Sequence, residues 1–523
     1  MYARILTGAI QGVEASCVEV EVDCLGGLGQ ISVVGLPDAS IKEAQERVRS
    51  AIKSCSFLMP PGKRWVVNLA PCDTRKEGSA YDLPIAVGIL VATGIMPPEY
   101  LNDLWLVGEL SLSGALRAVT GVLPIALAAK ASGARGIVVP EGNAAEAALV
   151  EGLTVYPVSH LMQVYAMGQN IDNGTIYSAS GVDGLALLPA ESDDHKDFSE
   201  VKGQMAAKRA LEIAACGRHN VLMVGPPGTG KSMLAERLPG ILPPLEYEEI
   251  IELTKLFSVA GLLTDRSTVV TNRPFRSPHH SASIAGLIGG GLSPRPGEIS
   301  LSHLGVLFLD ELTEFRRSQL ENLRQPLESR KVMISRYGQT LTYPASFMLV
   351  AACNPCPCGY RGDTLRHCVC TSAQAERYWG KISGPLMDRI DLQVDVGRLS
   401  DAEIQGRANT DTNADEPSHR IKARVLKAVE RQKQRFASLF PDKPFAFNGQ
   451  VTHVDGNPMF KLEHIGERVM ARAINRFGLS ARSYGRVLKL ARTIADLDGS
   501  RDILSPHLAE ALKYRVAGAQ SCY

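Results

Sequence analysis

Apolar and polar positions change period several times along the chain, and each change marks an element. Val18 to Val22 alternate as a half-buried strand does, and Ile31-Ser32-Val33-Val34-Gly35 predicts a second strand beyond the turn Leu25-Gly26-Gly27-Leu28-Gly29. A polar helix follows from Pro37-Asp38-Ala39-Ser40 to about Ser54, with Asp38 or Ser40 placed to cap it. Trp65-Val66-Val67-Asn68-Leu69 and Trp105 to Leu110 predict further strands, and the segment Lys76 to Pro84 leads into an apolar helix. These elements predict an α+β fold with an antiparallel bias. After Tyr165 the chain turns polar and small, and Gly168 to Gly174 with Glu191-Ser192-Asp193-Asp194-His195-Lys196 predict a linker.

Beyond it the pattern changes to short, wholly apolar runs. Val221-Leu222-Met223-Val224, Val306-Leu307-Phe308-Leu309 and Leu349-Val350-Ala351-Ala352-Cys353 predict buried strands, and Met205 to Cys216 predicts an amphipathic helix. From Asp401 the chain becomes helical and charged, with a polar loop at Asn409 to Ser418 and an amphipathic helix from Ile421 to Phe436. Arg468, Arg472 and Arg476 recur every four residues and share one helix face, turned to nucleic acid, to a neighbouring subunit or to solvent. Leu504-Ser505-Pro506 opens the last helix with a serine cap and a proline in the first turn.

Composition narrows the class. At 523 residues the chain exceeds one core, and 45% hydrophobic with 21% charged residues is ordinary for a soluble protein. The net charge of +1 gives no global attraction to nucleic acid and leaves room for local basic patches. The longest apolar run, Leu83 to Met96, is broken by Pro84, Gly88 and Gly94 and is too short to span a bilayer, so no membrane partner is expected. The N-terminus lacks the apolar core of a secretory signal. With 11 cysteines and no export signal, metal or free thiols are expected over disulfides, and the cytoplasm is the expected compartment.

The chemistry centres on Gly225-Pro226-Pro227-Gly228-Thr229-Gly230-Lys231-Ser232, which follows a predicted strand and opens a helix. Glycines at this spacing let backbone N–H groups fold around phosphate oxygens, Lys231 neutralises the β- and γ-phosphates, and the Ser232 hydroxyl ligates Mg²⁺. The expected cofactors are therefore ATP and Mg²⁺. Downstream, the apolar strand ending in Asp310-Glu311 places one carboxylate for the Mg²⁺ and another to polarise the attacking water. Cys356, Cys358, Cys368 and Cys370 form two C-x-C pairs able to converge on one tetrahedral Zn²⁺ site, tighter than the usual zinc spacing, with His367 in reserve and Cys353 buried on its strand. The alternative for these residues is reduced or redox-active thiols. Arg330 to Thr340 alternates about a turn, and a basic hairpin tip carrying Lys331 and Arg336 would track a phosphate backbone; ordinary solvated charges are the alternative.

Several segments resemble a known family. The prelude Asp197 to Gln204 and the strand ending in Asn354 resemble AAA+ motors, in which such an asparagine senses the γ-phosphate. Leu386-Met387-Asp388-Arg389-Ile390-Asp391 resembles the arginine-finger region of the magnesium-chelatase clade, implying Arg389 acts on the neighbouring subunit's nucleotide, or else forms a structural salt bridge with Asp388 or Asp391. Leu479 to Tyr484 resembles a sensor-2 segment, nominating Arg482, with Arg486 nearby. Arg273 to His280 and Gly289 to Glu298 look like the helix-2 insert of that clade. Val34-Gly35-Leu36-Pro37-Asp38, Arg47-Val48-Arg49, Gly108-Glu109-Leu110 and Gly114-Ala115-Leu116-Arg117 resemble a Lon-protease-like domain, with Ser79 at the catalytic serine's place but Leu123 at the lysine's, which implies a scaffold.

Together these match the magnesium-chelatase-like family called YifB or ComM. The resemblance implies a multidomain protein: an N-terminal α+β Lon-protease-like domain (1–166), a linker (167–196), an α/β AAA+ P-loop core with helix-2 insert (197–397, cysteine loop 353–370) and a C-terminal helical lid (398–523). It implies a hexameric ring, a homo-oligomer that hydrolyses ATP and acts on single-stranded or branched DNA, as a helicase driving branch migration in recombination and natural transformation. A remodelling motor for a protein or metal-insertion partner is the rival class, and an ATP-dependent protease a third that lacks its lysine.

Overall fold

The computed structural model describes residues 2–27, 30–36, 38–72, 76–167, 177–178, 196–263, 269–291, 294–336, 339–363, 365–399 and 416–521. The linker expected at 167–196 and the polar loop expected from Asn409 fall almost wholly outside these residues.

The first 178 residues supply an eight-stranded sheet. Its spatial order is Tyr177–Ser178, Thr154–Val158, Gly136–Pro140, Leu104–Leu106, Tyr2–Gln11, Glu14–Gly26, Lys63–Ala70 and Ile31–Val34. The expected antiparallel bias is corrected here. Tyr2–Gln11, Glu14–Gly26 and Lys63–Ala70 pair antiparallel, as does Tyr177–Ser178, but Ile31–Val34, Leu104–Leu106, Gly136–Pro140 and Thr154–Val158 join parallel. The parallel joins arise because helices intervene: Ala39–Ser54 returns the chain so that Lys63–Ala70 lies beside Ile31–Val34, and Val122–Ala131 returns it so that Gly136–Pro140 lies beside Leu104–Leu106. Asp38 caps the first of these helices by accepting from Ile41 N–H at 2.9 Å.

Strand alternation sends Ile5, Val20 and Val22 to one face, under the wholly buried helix Asp82–Ala92. A β-carbon on Gly88 would lie 2.6 Å from Val22 Cγ2, so only glycine permits that approach. Leu6, Ile10 and Trp105 point to the other face, where Val122–Ala131 packs and the cluster extends to Ile250 and Val269. This is the contact with helix Tyr247–Ala260 of the following part of the chain: Tyr247 Oη donates to Leu149 O at 3.1 Å, and Lys255 pairs with Glu14 at 2.7 Å.

The second sheet is five-stranded and all parallel, in the order Phe275–Arg276, Val306–Leu309, Met348–Cys353, Val221–Val224, Leu392–Asp395. Its central strands are buried on both faces, which is why they read as unbroken apolar runs. Val221, Met223 and Phe308 face Met205–Gly217 and the C-terminal helices; Leu222, Val224 and Leu307 face the opposite layer. The C-terminal helices are Ser418–Leu439, His464–Phe477, Ala481–Leu497 and Ser505–Ser521. Among the described residues no helix is long and apolar enough to cross a membrane.

Candidate functional site

The Val221–Val224 strand feeds the glycine-rich turn, and helix Lys231–Arg237 leaves it. Gly228 and Gly230 take φ of +78° and +89°, open only to glycine at low cost, and a β-carbon on Gly225 would lie 2.1 Å from Val396 O. Thr229 Oγ1 donates to Pro226 O at 3.0 Å and fixes the turn from inside. Lys231 is buried, and its Nζ donates to Gly225 O at 2.7 Å and Pro226 O at 2.8 Å, with Asn354 Oδ1 at 3.4 Å. Burial lowers its pKa, opposed by Cys353, Asp310 and Glu311. Ser232 Oγ donates to Asp310 Oδ2 at 2.6 Å, so the hydroxyl and carboxylate expected around one Mg²⁺ stand side by side. Their hard oxygen donors suit Mg²⁺. Glu311, left-handed at φ +49° with a side chain 59% exposed, stands 3.7 Å from His280 Nδ1. The structure thus brings together the turn 225–232, Asp310, Glu311 and Asn354.

Arg389 and Arg482 lie elsewhere, at the start of the same strand. Arg389 is buried, bonded to Pro385 O and paired with Glu328, and its Nε has no partner. Burial lowers its pKa, Glu328 opposes this, and Arg324, Arg482 and Arg486 add to the lowering. Arg482 is exposed on the first turn of Ala481–Leu497. Sequence reasoning missed what holds this end. Asn220 Nδ2 donates to Arg389 O at 2.9 Å and its N–H to Asp391 Oδ2 at 3.0 Å, while Arg486 donates to Arg389 O at 3.0 Å and pairs with Asp391. His219 Nδ1 is 3.6 Å from Asp391 Oδ2. Burial would raise the Asp391 pKa, but Arg486, His219 and the Asn220 N–H hold it well below the usual carboxylate range. The sequence offers Asp391 only as a partner for Arg389, and Arg486 only as the neighbour of the arginine nominated instead.

Cys356, Cys358, Cys368 and Cys370 converge with all four sulfurs within 4.8 Å of one another, Cys356 lying 3.3 Å from Cys358 and each of these 3.6 Å from Cys368. A tetrahedral site with metal–sulfur bonds of about 2.3 Å places its sulfurs about 3.8 Å apart, so the donor set fits a metal ion. Burial works against ionisation of Cys358, but the Tyr360 and Val369 N–H groups and the neighbouring thiols bring it down to about 6. Cys353 is buried on its strand, and His367 is exposed and outside the cluster.

Lys331 is not at a hairpin tip. The strands Lys331–Arg336 and Gln339–Pro344 pair with Lys331 opposite Pro344 at the root and Arg336 opposite Gln339 at the last rung. The turn 337–338 lies outside the described residues. Lys331 instead lines a cleft of about 1100 Å³ with Arg218, Arg273 and Arg330, between the core and Ser418–Leu439. Arg468, Arg472 and Arg476 are all exposed, opposite the buried Gly466, Met470 and Ala473 of their helix. Ser79 donates its hydroxyl to Glu109, and Leu123 is buried, its N–H bonded to Glu146 at 2.8 Å. The carboxylate beside Ser79 is itself within 3.5 Å of Arg117.

Three family models match the chain: "Magnesium chelatase, subunit ChlI" over residues 197–404, "Subunit ChlI of Mg-chelatase" over 20–143 and "Magnesium chelatase, subunit ChlI C-terminal" over 415–515. The chain is 42% identical over 517 residues to competence protein ComM of Haemophilus influenzae, covering 98% of this chain and 97% of that one. It is 41% identical over 519 residues to the uncharacterized protein YifB of Salmonella typhimurium, covering 98% and 97%. Lon protease 2 of Bacillus subtilis is 30% identical over 152 residues, 27% of this chain and 26% of that one.

Proposed function

The chain belongs to the magnesium-chelatase-like family of ComM and YifB, and from that premise we propose that it is a cytoplasmic AAA+ ATPase whose hexameric ring acts on single-stranded or branched DNA. Its work is that of a helicase promoting branch migration in recombination and natural transformation. The proposed division is a non-proteolytic Lon-like domain (1–166), a linker (167–196), an AAA+ core with helix-2 insert (197–397) and a helical lid (398–523). The observation that carries the reading is the separation of two half-sites on one strand. Lys231, Ser232, Asp310, Glu311 and Asn354 gather at its C-terminal end, and four clustered arginines, Arg324, Arg389, Arg482 and Arg486, at the other.

In this scheme ATP binds between subunits. Lys231 leaves the carbonyls of Gly225 and Pro226 for the β- and γ-phosphates, and Ser232 and Asp310 hold Mg²⁺. Bound there, Mg²⁺ neutralises charge developing on the phosphates. Glu311 takes the proton of the attacking water while Asn354 orients it. Arg389 and Arg482 of the adjacent subunit meet the transition-state charge, Arg389 leaving Glu328 to do so. The four cysteines would hold Zn²⁺ as a structural crosslink. The relative named a competence protein supports a role in competence, and Lys331 with the exposed Arg468, Arg472 and Arg476 offers cationic side chains for a phosphate backbone.

The test is ATP hydrolysis with and without single-stranded, duplex and four-way-junction DNA at low salt, with Glu311→Gln as the blank. DNA should stimulate hydrolysis in the wild type and not in the blank. Arg336→Ala, at the last rung, should lose more of that stimulation than Lys331→Ala, at the root. Hydrolysis indifferent to every DNA would overturn the DNA motor in favour of a motor for a protein partner.

A further inference from the structure

The cysteine cluster continues directly from the nucleotide site, and the contact between them is steric. Asn354 follows the Met348–Cys353 strand, and Cys356 lies two residues on, fully buried. The chain then turns: Gly359 N–H donates to Cys356 O at 2.9 Å, and Gly359 takes φ +85°. At this point the loop lies on the P-loop. A β-carbon on Gly359 would stand 2.8 Å from Pro227 Cδ and 3.9 Å from Asn354 Cγ. On the outer side Arg366 and Arg398 lie over the Tyr360 ring at 5.2 and 5.8 Å, and Arg398 Nε donates to Asp363 Oδ2 at 2.6 Å. Arg398 adjoins Gly397, whose carbonyl accepts from Gln204 Nε2 at 2.7 Å, and the same amide reaches Thr229 O at 3.3 Å. The loop therefore lies on the phosphate-binding turn at Pro227 and is linked to it a second time, indirectly, through Arg398, Gly397 and Gln204.

Little apolar packing holds the outer part of this loop. Leu365 and Val369 are 77% and 83% exposed, and the described residues between Asn354 and Thr371 form no helix or strand. A segment without a core of its own keeps one conformation when it is crosslinked, and a tetrahedral metal on four thiolates supplies that crosslink.

We propose that a thiophilic divalent cation such as Zn²⁺, held by Cys356, Cys358, Cys368 and Cys370, fixes Gly359 against Pro227 and so sets the affinity of the P-loop for nucleoside triphosphate. This rests on the reading of the cluster as a metal site. The two binding equilibria are then coupled, and nucleotide must tighten the metal by the factor by which the metal tightens nucleotide. Couplings of this kind run from about 5-fold to about 150-fold, and about tenfold is expected here.

The test uses the full chain. Elemental analysis counts bound zinc; a zinc chelator then strips it, and the affinity for a fluorescent ATP analogue with Mg²⁺ is measured before stripping, after it, and after zinc is restored. Expected are one zinc per chain, a weakening of about tenfold on stripping, recovery on restoration, and a matching rise in zinc retention when nucleotide is present. Recovery shows that the stripped chain had not unfolded irreversibly. Gly359→Ala, which keeps all four thiols, should retain zinc and still bind nucleotide less tightly. Zinc present but an affinity unchanged by its removal would overturn the coupling and leave the metal site standing. A chain that carries no zinc and takes none up would overturn the metal-site reading itself.

Discussion

At its C-terminal end the Val221–Val224 strand opens into a turn of bare backbone, with Lys231 folded back on two of its own carbonyls. At its N-terminal end it starts from Asn220, inside a packed set of groups in which Arg486 pairs with Asp391, Asp391 accepts the Asn220 N–H, and Asn220 and Arg486 both hold the Arg389 carbonyl. The first end is open and prepared for an anion. The second is closed, yet it concentrates more positive than negative charge, with Arg324, Arg389, Arg482 and Arg486 set against Glu328 and Asp391. One short strand joins them, and Asn220 bonds both to the Arg389 carbonyl and to Leu349 N–H of the Met348–Cys353 strand, which Asn354 follows. In the proposed ring, the Val221–Val224 strand would link each subunit's nucleotide site to the residues that face its neighbour's.

The strongest break in this picture is Arg389→Ala. On the proposal that this arginine serves another subunit's site, the substitution should cut hydrolysis about a thousandfold and leave nucleotide binding near wild type. Mixing Arg389→Ala with Glu311→Gln chains should restore part of the rate, because one kind of interface regains both an intact Glu311 and an intact Arg389. No recovery on mixing would place Arg389 in its own subunit's site or in a purely structural role.

Asp391→Ala strikes the closed end alone. It leaves Arg486 and His219 without their carboxylate, and a loss of about 3 kcal/mol in stability is expected by chemical denaturation. The phosphate-binding turn has no bond to Asp391, so nucleotide affinity of the folded fraction should hold. Affinity falling in proportion to stability would mean the two ends are not separable.

The smallest effect is a pH dependence at the closed end. Burial, opposed by Asp391 and reinforced by Arg486 and Arg330, brings Lys489 down to about 8. Its unfolded value is about 10.4, so between these values the unfolded chain binds more protons and stability rises with pH. The difference between wild type and Lys489→Met should therefore shift in favour of the wild type from about pH 8 to about pH 10. A difference that stays flat across that window would mean Lys489 titrates as a solvated lysine.

Contiguous chemistry was legible from the residues alone. A phosphate-binding turn is made of its own backbone, so Gly225 to Ser232 declares itself by spacing, and four cysteines in two close pairs limit where a metal could sit. Parallel strands buried on both faces must be apolar throughout, which made Val221–Val224, Val306–Leu309 and Met348–Cys353 visible in advance. The tertiary structure alone decided what depends on residues far apart. His219, Asn220, Asp391 and Arg486 span more than half of the chain, and no local period records that they meet in one place, where Arg486 offsets the buried Asp391 charge. Strand order in the first sheet was equally hidden, because a helix returning a strand parallel and a turn returning it antiparallel leave the same alternation in the sequence. Likewise Lys331 and Arg336 belong to one strand, and only the pairing register sets one at the root and the other at the last rung.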